Sequence, residues 1–144
     1  MLGLDVGDRR IGVSSADGLG LTAQGLETFE RRSLDYDLEH LTGLIRERQV
    51  KTLVVGLPKN MDGTEGPQSR KVREFTDLLL SRLEDYPAPE VVYWDERLTT
   101  VAAHRIMLEG DLSRKKRKGK VDKLAAMLIL QGYLDRLAFS GKKQ

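Results

Sequence analysis

The 144-residue chain contains no cysteine, so it can form neither a disulfide framework nor a thiolate metal site. Long apolar runs are also missing. The longest, at residues 124–134, is interrupted by a glutamine and a glycine and is far shorter than the roughly 20 residues of a membrane span. The N-terminus lacks the basic-then-apolar order of a secretory signal. These absences predict a cytoplasmic protein without a membrane partner.

Length and apolar content predict a single domain over residues 1–144, large enough to bury roughly two-thirds of the surface that the unfolded chain exposes. The formal net charge is only +2, but six of the 24 basic residues fall within residues 114–120. Such a block of like charges repels itself and binds polyanions. We therefore predict a mobile basic loop at about 111–120 that contacts nucleic acid, with a merely solvated loop as the alternative, and a flexible tail at about 140–144.

Hydrophobic periodicity and turn residues predict the element order β-β-β-α-β-α-β-α-α. The strands are expected at 1–6, 10–16, 24–30, 52–56 and 91–94, and the helices at 33–48, from residue 67 until before residue 87, at about 99–109 and at about 120–139. Ser33 fits the N-cap of the first helix, and Pro67 fits the first position of the second. This order indicates an α/β fold: a mixed five-stranded sheet with helices on both faces.

Asp5 is the most informative single residue, because a carboxylate inside an apolar strand costs stability unless a cation neutralises it. Glu96 follows the fifth strand, and Asp122 falls in the first turn of the last helix. Ligands gather at the carboxyl ends of parallel strands, so these three acids are candidates for one metal-binding cluster of the kind that hydrolyses phosphodiesters. The alternatives are a helix-dipole role for Asp122 and a surface salt-bridge cluster at residues 95–97.

Four motifs resemble the YqgF family of small bacterial proteins. They are Gly3-Leu4-Asp5-Val6-Gly7 with residues 9–13, Val55-Gly56-Leu57-Pro58 followed by Asp62-Gly63, residues 95–100, and Asp122-Lys123-Leu124-Ala125-Ala126. That family is described as pre-16S rRNA nucleases and Holliday-junction resolvase homologues. The resemblance implies a ribonuclease H-like fold, 5′-end maturation of pre-16S rRNA, and one or two Mg²⁺ or Mn²⁺ ions. It assigns the catalytic and metal-binding acids to Asp5, Glu96 and Asp122, with Asp95 as a further candidate ligand.

One feature departs from the wider resolvase pattern. The fourth strand ends in Gly56-Leu57-Pro58, whereas ribonuclease H and the RuvC resolvases carry an acid associated with that strand or its neighbouring helix. The second acid therefore has to come from strand five. Basic and amide side chains near the acids are expected to hold phosphates. The predicted nucleic-acid-binding residues are Arg9, Arg10, Lys59, Asn60, Arg97, Arg114, Lys115, Lys116, Arg117, Lys118 and Lys120. For the first three of these, plain surface positions are the alternative.

The expected partner is nucleic acid, with pre-rRNA preferred and branched DNA as the second substrate. Resolvase kinship favours a homodimer. Two other functions compete with a pre-rRNA nuclease: a Holliday-junction resolvase-like DNA nuclease and a non-catalytic RNA-binding ribosome-assembly factor. The Asp-x-Gly motif at residues 5–7 also resembles the phosphate-binding hairpin of actin-like ATPases. Those proteins enclose their nucleotide between two such domains, so the length of this chain argues against them.

Overall fold

A computed structural model describes the backbone of residues 1–16, 22–98 and 114–141, and the side chains of these residues except 114–122 and 141. The strands are β1 (Leu2–Val6), β2 (Arg10–Ala16), β3 (Ala23–Glu30), β4 (Thr52–Leu57) and β5 (Glu90–Asp95). The helices are α1 (Leu34–Glu47), α2 (Pro67–Ser81) and α3 (Arg114–Gly141), and a 3₁₀ turn covers Glu96–Leu98. In these ranges no helix is both long and apolar enough to cross a bilayer.

The five strands form one mixed sheet in the order β3-β2-β1-β4-β5. β2 runs antiparallel to β1 and to β3, whereas β4 runs parallel to β1 and to β5. The predicted mixed five-stranded sheet is confirmed. Its parallel part, β1-β4-β5, ends on one side of the molecule at Val6, Leu57 and Asp95, and we call this side the carboxyl edge.

Helices α1 and α2 cover one face of the sheet. Ser33 caps α1 as predicted, because its backbone is extended and its Oγ accepts a hydrogen bond from the backbone N–H of Tyr36 at 3.0 Å. Pro67 opens α2, also as predicted. The apolar faces of both helices pack on alternate side chains of the strands. The buried cluster includes Leu2, Leu4, Val6, Ile11, Leu38, Leu41, Ile45, Val55, Val72, Phe75 and Leu79.

Helix α3 lies across the opposite face, on β1 to β4. Its approach to β1 is so close that only glycine fits at position 3. A Cβ there would lie 2.4 Å from Ser14 Oγ and 2.8 Å from Leu130 Cβ. Ser14, itself fully buried, donates a hydrogen bond at 2.7 Å to the carbonyl oxygen of Ala126. This contact joins the hairpin β1-β2 to the middle of α3, and helices cover both faces as expected.

The start of α3 corrects one prediction. We expected a loop at 111–120 and a helix from about Lys120, but residues 114–120 are helical. Lysine and arginine are good helix formers, and repulsion between like charges one turn apart costs only about 0.2–0.5 kcal/mol per pair. Extending a helix already held by packing is also easier than starting one. The predicted helix at 99–109, the loop residues 111–113 and the tail residues 142–144 lie outside the described residues.

The close contact at Gly3 predicts the effect of adding one methyl group. Gly3→Ala should lower the free energy of unfolding by about 1–3 kcal/mol, because the new carbon overlaps buried atoms of β2 and α3. Gly43 provides a matched control, since it lies inside α1 and a Cβ there would meet nothing within 4 Å. Gly43→Ala should stabilise the protein by about 0.5–1 kcal/mol. Urea unfolding of both variants measures this; equal effects would contradict the close packing of α3 on β1.

Candidate active site

Asp5 lies in the central strand β1 and is buried, with 6% of its surface exposed. Side chains alternate between the two faces of a strand. Leu4 and Val6 pack in the cluster beneath α1 and α2, and the neighbouring position Gly3 faces α3. Asp5 therefore points to the α3 side of the sheet, near the carboxyl edge. Local sequence explains the strand around it, since Leu2, Leu4 and Val6 supply its apolar face.

Glu96 reaches the same side from β5. The strand ends at Asp95, and Glu96 begins the 3₁₀ turn with 9% of its surface exposed. On β5, Trp94 packs in the cluster formed with α3, so Glu96, two residues later, continues that face. Strand β4 lies between β1 and β5 in the sheet. Gly56 is the β4 residue that lies between the strand bearing Asp5 and the strand that leads to Glu96. A Cβ on Gly56 would lie 3.5 Å from Glu96 Cδ.

Asp5 and Glu96 line one pocket of about 210 Å³ at the carboxyl edge. The other lining residues are Val6, Gly7, Gly56, Pro58 and Gln68. We call it the carboxylate pocket. Two buried carboxylates in one small cavity repel each other, and a cation between them relieves the cost. Their hard oxygen donors suit Mg²⁺ or Mn²⁺. The described side chains alone contain no group of three or more potential metal-binding residues.

Asp122, the third predicted acid, belongs to α3 and lies one helical turn before the buried residue Ala126. Ala126 in turn contacts β1 through Ser14 and the Gly3 position. The backbone of α3 thus carries Asp122 toward the part of the sheet that holds Asp5. The side chain of Asp122 is outside the described residues, so its membership of the cluster stays a prediction.

Asp95 is engaged by Arg97 and does not line the carboxylate pocket. The guanidinium of Arg97 donates to both carboxylate oxygens of Asp95 at 2.7–3.1 Å, and the backbone N–H of Arg97 donates to Oδ1 at 3.0 Å. These hydrogen bonds lower the pKa of Asp95. Arg97 also donates to the carbonyl oxygen of Met61 at 3.3 Å, which ties the β4–α2 loop to the end of β5. In this arrangement Asp95 and Arg97 hold the loop beside the pocket.

Lys59 and Asn60 lie in that loop. The backbone N–H of Asn60 donates to the carbonyl oxygen of Thr64 at 2.9 Å, and its side-chain amide donates to Thr64 Oγ1 at the same distance. Asn60 thus braces the turn. Lys59 forms a backbone bridge with Glu65 and is close enough to help lower the pKa of Asp95. Their predicted phosphate contacts stay predictions.

Arg9 lies in the β1–β2 turn, and Arg10 is the first residue of β2. Arg9 is exposed, and Arg10 forms an ion pair with Glu30 at 3.4 Å. Both line a cleft of about 560 Å³ next to the turn. The basic residues 114–120 occupy the first two turns of α3, ahead of Asp122, and their side chains are outside the described residues.

Gln68 was not among the predicted site residues, although it lines the carboxylate pocket. It is the second residue of α2, and its Nε2 donates to Asp8 Oδ1 at 3.4 Å. The sequence signal that could have indicated it is its position directly after Pro67, at the start of a helix that follows the carboxyl end of β4. Ser69 strengthens this junction by donating a hydrogen bond to the carbonyl oxygen of Pro58.

Comparison with known proteins identifies the family of this chain and its fold. A family model described as "RuvX: Holliday junction resolvase" matches residues 1–136. The chain belongs to this family. The resemblance to the YqgF family is thereby confirmed.

Several curated relatives match nearly the whole chain. One from Clostridium tetani is 58% identical over 135 residues, which cover 94% of this chain and 95% of the relative. One from Clostridium botulinum strain Hall is 58% identical over 138 residues, covering 96% and 98%. One from Halothermothrix orenii is 54% identical over 135 residues, covering 94% of each. All three bear the name "Putative pre-16S rRNA nuclease".

Solved structures with this fold include RuvC of Thermus thermophilus in complex with a Holliday junction substrate. It is 16% identical, with a TM-score of 0.57 and coverage of 98% of this chain and 96% of that chain. The fowlpox virus resolvase bound to Holliday junction DNA is 7% identical, with a TM-score of 0.52 and coverage of 94% and 97%. At these identities the likeness concerns the fold alone, and it confirms the ribonuclease H-like architecture.

The Asp95–Arg97 pair predicts a pH-dependent effect on stability. Arg97 lowers the pKa of Asp95 in the folded protein, so the pair stabilises the fold above the ordinary value of 3.8. That contribution disappears as the pH falls through the lowered pKa. Arg97→Gln should therefore unfold at a lower urea concentration than the wild type at pH 7, and the difference should shrink below pH 3.8.

Arg70→Gln is the matched control, because Arg70 is exposed on α2 and forms no ion pair among the described residues. Its urea midpoint should follow that of the wild type at every pH. A difference for Arg97→Gln that stays constant with pH would show that the pair with Asp95 is not its cause.

Proposed function

We propose that this protein is a divalent-metal-dependent nuclease that cleaves the 5′ region of pre-16S rRNA. One observation carries the assignment: Asp5 and Glu96, from distant parts of the chain, line the same pocket at the carboxyl edge. The family and the relatives named above make the protein a nuclease acting on phosphodiester bonds. The names of relatives that are 58% identical favour an RNA precursor as substrate.

In the proposed site, Asp5, Glu96 and Asp122 hold one or two Mg²⁺ or Mn²⁺ ions. When bound, such ions activate a water molecule and stabilise charge on the attacking and leaving oxygens. The protein supplies the rest. Gly56 keeps the floor of the pocket free of a side chain between β1 and β5, and Gln68 offers an uncharged hydrogen-bond donor at the pocket wall. Burial of the two acids keeps bulk water from screening their negative charge.

A Holliday-junction resolvase is the second candidate, and the description of the family favours it. The same carboxylates would serve both substrates, because phosphodiester hydrolysis needs the same charge stabilisation in RNA and in DNA. The two functions differ in the polymer that is bound, so a pre-16S rRNA fragment and a four-way DNA junction must be assayed side by side.

Some expectations from the sequence belong to this proposal. A single domain over residues 1–144, a cytoplasmic site of action and a homodimer remain predictions. Cytoplasmic action suits a precursor-rRNA substrate. A dimer would suit a branched DNA substrate with two equivalent strands, since two-fold symmetry would present two carboxylate pockets.

The metal assignment predicts that Asp5→Asn loses both Mn²⁺ binding and cleavage. The rate should fall by about 100-fold or more, since the ions are expected to supply several kcal/mol of transition-state stabilisation. Titration calorimetry with Mn²⁺ alone gives a readout that does not depend on activity. Asp77→Asn is the matched control, because Asp77 is exposed on α2 away from the pocket.

Retained Mn²⁺ affinity in Asp5→Asn would refute the assignment of Asp5 as a ligand. Purified wild-type protein that binds RNA but shows no metal-dependent turnover on either polymer would instead support the non-catalytic RNA-binding alternative.

The basic start of α3 predicts salt-dependent binding of the substrate. Lys115→Gln with Lys116→Gln should reduce the slope of log affinity against log salt by roughly 0.7–0.9 for each phosphate that is no longer neutralised. The matched control is Arg48→Gln with Lys51→Gln, which removes two exposed charges at the end of α1 and just before β4, opposite the carboxyl edge. Fluorescence anisotropy in the Asp5→Asn background measures both slopes. If the Lys115/Lys116 double variant and the Arg48/Lys51 double variant had the same slope, the start of α3 would be excluded from the interface.

A further inference from the structure

Two exposed arginines, Arg9 and Arg32, line the same cleft beside the β1–β2 turn. Within the described part of the chain, neither forms an ion pair. Their backbones are fixed: the N–H of Arg31 donates to the carbonyl oxygen of Arg9 at 2.8 Å, and the N–H of Arg32 donates to Asp37 Oδ1 at 3.1 Å. The guanidinium of Arg32 lies 4.5 Å from the ring centroid of Tyr36. That cation–π contact orients the side chain but leaves its charge.

Two other arginines of this cleft have carboxylate partners. Arg10 pairs with Glu30 at 3.4 Å, and Arg31 pairs with the buried Asp37 at 2.9 Å. Arg31 also donates to the carbonyl oxygen of Gly7 at 3.1 Å. These contacts brace the turn and α1 without adding net charge.

Asp8 also lines the cleft and pairs with Lys71 at 3.7 Å, so Arg9 and Arg32 are the arginines of the cleft that have no carboxylate partner among the described residues. Like charges that line one cleft repel each other, and a bound anion reduces that repulsion.

The cleft continues to the carboxylate pocket. It shares Asp8, Arg31 and Leu34 with a second cavity of about 220 Å³. That cavity shares Val6, Gly7 and Gln68 with the carboxylate pocket. The three spaces thus lie side by side along the rim of the sheet, with Asp5 and Glu96 at one end and the four arginines at the other. We call these neighbouring spaces the rim groove.

We propose that the rim groove carries one strand of the nucleic acid away from the site of cleavage, with Arg9 and Arg32 holding its phosphates. This inference rests on the proposed nuclease function. The chemistry is that of a phosphodiester backbone: the guanidinium forks match phosphate oxygens, and Gln68 midway provides a neutral donor. Three acids of the groove are already paired with a cation: Glu30 with Arg10, Asp37 with Arg31, and Asp8 with Lys71; Glu74, which lines the middle cavity, has no ion pair among the described residues. Arg32 becomes a substrate-binding residue that the sequence motifs did not indicate.

The test uses the full chain with Asp5→Asn, which prevents cleavage during binding measurements. The probe is a fluorescein-labelled single-stranded RNA of about 12 nucleotides, within the usual size range of single-strand grooves. Arg9→Gln with Arg32→Gln should weaken binding and reduce the salt slope by roughly 1.4, because each phosphate neutralised on a single strand accounts for about 0.7. Arg9→Lys with Arg32→Lys should restore most of the slope, since charge alone determines counterion release.

Arg48→Gln with Lys51→Gln again controls for the removal of two exposed positive charges. A slope for the Arg9/Arg32 glutamine variant that equals the parent slope, or that falls equally in the control, would overturn the proposal. Failure of the nuclease function would appear differently. The chain with Asp5 intact would then show no metal-dependent cleavage, while the binding slopes would still report whether the groove holds RNA.

Discussion

The packing of α3 against the sheet is the constraint on which the candidate site depends. Gly3 and Gly56 lie in neighbouring strands of the sheet. Because neither has a side chain, α3 can pack closely on the sheet at both positions. A Cβ on Gly3 would meet Leu130, and one on Gly56 would lie 2.4 Å from Ile129 Cδ1. Ser14 adds a buried hydrogen bond to the same stretch of helix. Close packing makes this arrangement intolerant of added volume. This close packing fixes α3, which bears Asp122, over β1, which bears Asp5.

Electrostatics then divides the acids at the carboxyl edge into two groups. Asp95 is paired with Arg97, which lowers its pKa and fastens the β4–α2 loop. Asp5 and Glu96 are buried in a pocket whose lining contains no lysine or arginine among the described residues. Adjacent residues, Asp95 and Glu96, thus differ in role because the chain leaves an extended strand and enters a 3₁₀ turn between them. Arg97 pairs with the first group, and the carboxylate oxygens of the second group are donors of the kind that Mg²⁺ or Mn²⁺ binds.

Much of the fold was predictable from local pattern. Ser33 and Pro67 marked helix starts, and the strand expected at 52–56 matches β4 to within one residue. The start of α3 was not predictable in this way. A run of like charges in isolation favours a loop, yet helix propensity and the docked remainder of α3 extend the helix back to Arg114. Gln68 was also missed: its position after Pro67 marked a helix start, but only the tertiary structure shows that this helix start lines the carboxylate pocket.

The sequence by itself determined which residue types were available. It placed Asp5 in an apolar strand, Glu96 after another strand and a basic block before Asp122, and its motifs indicated the family. Only the tertiary structure decided which of these meet. The parallel order β1-β4-β5 puts Asp5 and Glu96 in one pocket although 90 residues separate them in the chain. Such proximity depends on strand order and helix packing, which are long-range properties that no local pattern encodes.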